Sequence, residues 1–182
     1  MAETFLMTLR LINRRIALLI GMGLLAVAGI VLVDIVLRQM GSSFGGTDEI
    51  SGYAMAIAAA WGMGYALLEL AHVRIDLLRS KLNNLPRTLL DLFSLAVLAA
   101  STTAIAIFCW PVLRKSFLNG ANANTPLETT LWYVQLPWFL GWAWFALMAW
   151  LTFAAAAVLA LQGHYAAVER SIGAFAEKET LQ

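Results

Sequence analysis

Trp138-Phe139-Leu140-Gly141-Trp142-Ala143-Trp144-Phe145-Ala146-Leu147-Met148-Ala149-Trp150-Leu151-Thr152-Phe153-Ala154-Ala155-Ala156-Ala157-Val158-Leu159-Ala160-Leu161 carries no formal charge. About 20 apolar residues suffice for one helix to cross the roughly 30 Å of bilayer hydrocarbon. Upstream, the charge-free run reaches back to Thr129, more than a helix normal to the bilayer needs, so something must tilt or break. Pro137 is expected to separate a short interfacial piece holding Trp132 and Tyr133 from a last span of about 138–161. Trp132, Tyr133 and Trp138 would form an aromatic belt at headgroup depth.

Three further apolar runs precede it. The first span is expected over 16–37, behind Arg10, Arg14 and Arg15, with Asp34 near its far end. A cleaved signal peptide is the competing reading, because Ala26-Val27-Ala28 has the small-x-small look of a processing site. Against it, hydrophobicity continues without a polar break through Val33. The second span is expected over 50–70, after a glycine-rich loop and the start signal Thr47-Asp48-Glu49. Thr47 is expected to cap the first free amides, and the two carboxylates suit the positive end of the helix dipole. Within this span Gly52, Ala56, Ala60 and Gly64 recur every fourth residue, a row that lets another helix approach closely, from this chain or from another. The third span is expected over 88–112, with Trp110-Pro111 at its exit. The stretch 114–130, rich in Asn, Gly and Thr, should sit in water.

Between the second and third spans, leucines alternate with basic residues from His72 to Arg87. This pattern predicts a short interfacial helix, with Leu78, Leu82 and Leu85 toward the hydrocarbon and Arg79 and Lys81 toward water or lipid phosphate. The fold class is therefore an all-α integral membrane protein: one domain of four transmembrane helices, followed by a tail over 162–182. Of the basic residues, nine flank one side of such a topology (Arg10, Arg14, Arg15, Arg74, Arg79, Lys81, Arg87, Arg170, Lys178) against three on the other (Arg38, Arg114, Lys115). Positive residues stay inside, so both termini and the tail are expected in the cytoplasm.

Composition agrees: 61% of the residues are hydrophobic, 13% are charged, and the mean hydropathy is +0.76, far from a water-soluble domain. A net charge of +1 leaves no basic stripe for nucleic acid. The one cysteine, Cys109, permits no intramolecular disulfide or thiolate metal site and is expected to be a buried small hydrophobe. With two histidines, both outside the spans, haem ligation within the bundle has no ligands. No catalytic triad, phosphate-cradling loop or metal-ligand spacing appears, so no enzyme activity and no cofactor are expected.

Ionisable groups within spans are the default functional candidates. Asp34, Glu69 and Asp91 all fall near span ends, where water or headgroups can solvate them. Asp34 also precedes Arg38 by one turn, the favourable order for an ion pair. A self-contained homo-oligomeric transporter, with Asp34 or Asp91 as coupling site, is the alternative to an accessory subunit.

From residue 36 onward an ordered set of motifs accumulates: Val36-Leu37-Arg38-Gln39-Met40, Asp48-Glu49, Gly62 to Gly64, and His72-Val73-Arg74-Ile75-Asp76. This set resembles the small permease subunit of tripartite ATP-independent periplasmic (TRAP) transporters, with a looser echo in Leu136-Pro137-Trp138 through Gly141. Members of that family commonly carry a tryptophan shortly before the acidic pair, where this chain has Gly46. The resemblance implies a multi-pass protein of the bacterial inner membrane, beside a large membrane subunit that carries the sodium and substrate sites. A periplasmic solute-binding protein would deliver an organic acid to that complex. On it, Arg38 would close the first span as a structural or partner-contacting residue and Asp48 and Glu49 would face the periplasmic interface, while His72, Arg74 and Asp76 would fix the other end of the second span against the large subunit or phospholipid headgroups. For His72 the bland reading is a solvated loop histidine.

Overall fold

The computed structural model describes residues 2–72 and 81–173. Among these residues there are five helices: α1 (Ala2–Gln39), α2 (Thr47–Leu68), α3 (Asn84–Asn119), α4 (Trp132–Leu161) and α5 (Tyr165–Ile172). The first four are each long and apolar enough to cross a membrane. Most of the expected interfacial helix, together with Arg74 and Asp76, lies outside the described residues.

The helices outrun the apolar stretches that announce them. At 38 residues α1 extends about 57 Å, nearly twice the hydrocarbon thickness, because Ala, Leu, Met and Arg propagate a helix as well outside lipid as within it. Its first turns, before the expected span, bury Leu6, Leu9 and Asn13. Pro111 does not end α3, which continues to Asn119. There Gly120 at φ 56° closes the helix, and the Ala121 amide donates to the Ser116 carbonyl at 3.1 Å. Nor does Pro137 separate an interfacial piece from α4: the helix is continuous from Trp132. Pro137 sits in its second turn, where the one backbone donor it lacks would have served only the carbonyl of Tyr133.

α4 is the hub, packing against α1, α2, α3 and α5, and among the four long helices the largest share of its apolar stretch is buried. The core gathers Leu67, Leu68, Leu95, Ala99, Phe145, Met148, Ala149 and Ala156. α5 folds back over one end, burying Ala167, Val168 and Ile172 in the same core, with Arg87 of α3 paired to Glu169 at 3.1 Å. Outward, long rows of Leu, Ile, Val, Met and Phe on α1 and α3 remain exposed, as surfaces meant for lipid or a partner do.

The small-residue row of α2 divides. Ala60 and Gly64 are buried, whereas Gly52 and Ala56 are exposed. Gly141 of α4 faces the buried half so closely that a Cβ there would lie 2.8 Å from Ala60 Cβ and 2.9 Å from Trp61 Cδ1. Beside this crossing the Trp61 indole donates to the Pro137 carbonyl at 2.9 Å, tying α2 to the first turns of α4. Asn13 supplies a second tie. Its Nδ2 donates to the Leu9 carbonyl at 3.0 Å and to Met148 Sδ at 3.2 Å, while its Oδ1 accepts from the Trp144 indole at 3.0 Å.

Candidate functional site

The densest polar structure lies where α1 hands over to α2. Asp34 is 1% exposed, so it is not solvated by water or headgroups as a residue near a span end was expected to be. Local donors replace the water. Its Oδ1 accepts from the Ser43 hydroxyl at 2.8 Å and the Phe44 amide at 2.7 Å. Its Oδ2 accepts from Arg38 Nε at 2.8 Å and the Thr47 hydroxyl at 2.8 Å. The Asp34–Arg38 pair is thus formed one turn apart as its spacing predicts, and it is embedded in a cage that folds the 40–46 loop around the carboxylate.

Thr47 does not cap α2. The helix begins after Gly46, held at φ 72° with no side-chain cap. The Thr47 hydroxyl instead donates to Asp34 Oδ2 and accepts from Arg38 Nη2 at 3.2 Å, a charged donor taking the place of a neutral amide. Gly46 has two reasons to be glycine: its positive φ, and the Leu127 side chain of the α3–α4 connection, into which a Cβ would run. Leu127 fills the space that a side chain at position 46 would need.

That connection does not simply trail through water. Asn122 and Thr130 bridge, the Ala123 amide donates to the Thr129 carbonyl at 2.9 Å, and the Leu131 amide donates to the Ala121 carbonyl at 3.0 Å. The resulting tight loop sets Thr125, Pro126 and Leu127 over the first turn of α2. Gly46, Asp48, Glu49, Gly52, Tyr53 and Thr125 line an open groove of about 440 Å³ beside it. The two carboxylates differ. Asp48 has an 89% exposed side chain, 3.8 Å from Arg38. Glu49 turns inward, where its Oε1 accepts from the Tyr53 hydroxyl at 2.6 Å and its Oε2 is closed off from solvent, with Thr125, Thr129 and the Leu127 amide also beside the carboxylate.

At the opposite end, His72 is half-buried with its ring stacked on Phe145 of α4, centroids 6.0 Å apart, so it packs against its own chain and is not a solvated loop histidine. Asp91 is buried as well. It lines a small polar cavity of about 80 Å³ with Arg87, Thr88, Tyr165 and Glu169, between α3 and α5. Cys109 is buried. Among the described residues no group of three or more His, Cys, Asp or Glu side chains is placed to hold a metal ion.

Asn13, Gly141 and Trp61 were not singled out as site residues from the sequence. Asn13 stands among arginines that read as a solvated flank, and only its burial reveals its role; Gly141 shared a motif echo but offered no sign of its partner.

Such a molecule, with four long apolar helices and an exterior of apolar rows, is a membrane protein. Its family is narrower than that. Residues 27–149 match the family of tripartite ATP-independent periplasmic transporters, DctQ component, and the chain belongs to that family, which is one of transporter components and not of enzymes. The match contains the Asp34 cage, the acidic pair, the divided row of α2 and Gly141. Comparison with curated proteins and with solved structures returns no significant match.

Proposed function

We propose that the chain is a fixed scaffold that braces the large permease subunit of a sodium-coupled importer of organic acids in the bacterial inner membrane, with solute delivered by a periplasmic binding protein. Membership of a tripartite family supports the partners. The observation that carries the passive role is Asp34: the carboxylate best placed within a span to couple transport is held by four residues of its own hairpin, Arg38 among them, through five contacts of 2.7 to 2.8 Å, and has no vacancy for cargo. Asp91, the other candidate for coupling, is enclosed between α3 and α5.

In the topology proposed here both termini, α5 and the segment around 73–86 lie in the cytoplasm, supported by nine basic residues on that side against three. The leucine-and-basic pattern of that segment supports an interfacial helix on the headgroups. Asp48, Glu49 and the Leu127 loop then face the periplasm. Co-expression of the tagged chain with the large permease subunit tests the assignment. The two are expected to leave mild detergent as one complex; a chain that is recovered folded and alone overturns it. A secreted-enzyme reporter fused within 77–86 is expected to stay silent, and an external signal there reverses the topology.

A further inference from the structure

The two carboxylates that open α2 are neighbours in sequence with different surroundings. Asp48 stands in water, its side chain 89% exposed. Glu49 points toward the α3–α4 connection. The Tyr53 hydroxyl, one turn along α2, donates to its Oε1 at 2.6 Å, and the other groups beside the carboxylate, the Thr125 and Thr129 hydroxyls and the Leu127 amide, all belong to the connecting loop. Because Oε2 is closed off from solvent, the loop's donors stand where water would otherwise be.

The loop needs such a hold. Its own brace is the isolated bridge between Asn122 and Thr130, and it turns back through Glu128 at φ 45°, a left-handed conformation that a residue other than glycine keeps only where its surroundings fix it. The Glu128 amide donates to the Thr125 carbonyl at 2.9 Å, closing the turn, and Leu127 lies so close to Gly46 that a Cβ there would run into it. Glu49 and Leu127 thus fasten the α3–α4 hairpin to the α1–α2 hairpin at this end. Outward, the tip shows Asn124, Pro126 and Glu128, all exposed. A polar surface held in place suits a partner that arrives through water, not lipid or a helix within it.

We propose, resting on the scaffold reading above, that Glu49 is a positioning residue that holds the 121–131 loop on α2, and that the loop held there is the surface of this chain that the periplasmic binding protein meets. The acidic pair then has divided duties, Glu49 working inward through the loop and touching no partner itself. Its loss leaves the chain beside the large subunit but frees the loop, so that docking of the binding protein must first order it again.

Loop, assembly and uptake can be read separately. Glu49→Gln keeps the size of the side chain and puts an amino group where an acceptor oxygen met the loop's donors. In the purified chain, backbone amide exchange over 121–131 is expected to rise about tenfold with this variant, the loss of a charge-assisted bond, while Asp48→Asn leaves it unchanged. Thr125→Val alters only the loop side of the contact and is expected to act in the same direction, with the double variant little faster than Glu49→Gln alone; it carries the test should Glu49→Gln fail to fold. The large subunit is expected to co-purify with each variant as with the unaltered chain. Vesicles holding the Glu49→Gln pair are expected to need about tenfold more loaded binding protein for half-maximal uptake at an unchanged maximal rate, a split that mere loss of folded complex does not give. Unchanged exchange in both variants overturns the inference. Loss of the large subunit with Glu49→Gln makes Glu49 a partner contact, and faster exchange with an unchanged need for binding protein leaves the loop idle; each overturns it as well. If the unaltered chain fails to bind the large subunit, the scaffold reading falls and the inference with it; if it binds and only the loop or binding-protein readouts fail, the scaffold reading stands without the inference.

Discussion

Replacing Gly141 with alanine adds one methyl group where α2 and α4 meet closely. Its Cβ would lie 2.8 Å from Ala60 Cβ, 2.9 Å from Trp61 Cδ1 and 3.1 Å from the Ala60 carbonyl carbon, against an ordinary carbon–carbon separation of about 3.5–4.0 Å. The second and third of these atoms belong to a hydrogen-bonded indole and to backbone, so neither can swing aside, and α2 and α4 must part by about 1 Å. Overpacking of this kind costs about 1–3 kcal/mol. Parting the helices also stretches the Trp61–Pro137 bond, a further loss of about 1 kcal/mol. Alanine returns about 1 kcal/mol through its better helix propensity. The balance is a destabilisation of about 1–3 kcal/mol, read by reversible detergent denaturation of the purified chain followed by circular dichroism. Gly23→Ala is the control, since nothing lies within 4 Å of its added carbon, and it is expected to leave stability unchanged or raise it. A Gly141→Ala chain as stable as the Gly23→Ala chain refutes the close approach of α2 and α4.

Other consequences follow from the same geometry. Asn13→Ala removes the link between α1 and α4 and is expected to cost about 1 kcal/mol, since interhelical bonds in lipid average about 0.6 and reach about 1.7 kcal/mol; a double-mutant cycle with Trp144→Phe should recover most of it as coupling, and additive effects would place the indole elsewhere. Asp34→Asn strips the charge from the cage, so the 40–46 loop is expected to be cut faster by an unspecific protease while transport by the assembled complex persists. Abolished transport from an intact, protease-resistant complex would instead make Asp34 a coupling site.

Much of this architecture is legible in the sequence because lipid is an exacting solvent. Charge-free runs announce four long apolar helices, and one-turn spacing announces the Asp34–Arg38 pair. Where each helix stops is less legible, since the chain propagates α1 and α3 beyond the stretch that hydropathy marks, through residues such as Leu6 and Ser116 that are held by packing. Proline misleads for a related reason: Pro137 removes a single donor near a helix start, which its surroundings tolerate. Periodicity reveals the row from Gly52 to Gly64 but not that Ala60 and Gly64 are buried while Gly52 and Ala56 are exposed, because spacing fixes which residues share a side and not what lies opposite. Thr47 has the composition of a cap, and only the fold brings Asp34 close enough to claim its hydroxyl. Asn13 and Leu127 act through contacts more than 75 residues away in sequence, beyond any local pattern.

The central claim is that this chain supports transport without performing it. Solute uptake into liposomes, driven by a sodium gradient and supplied with the loaded binding protein, should be measured for the chain alone, the large subunit alone and the two together. The account expects uptake from the pair and none from the chain alone; sodium-driven accumulation by vesicles holding this chain and no other membrane protein would contradict it.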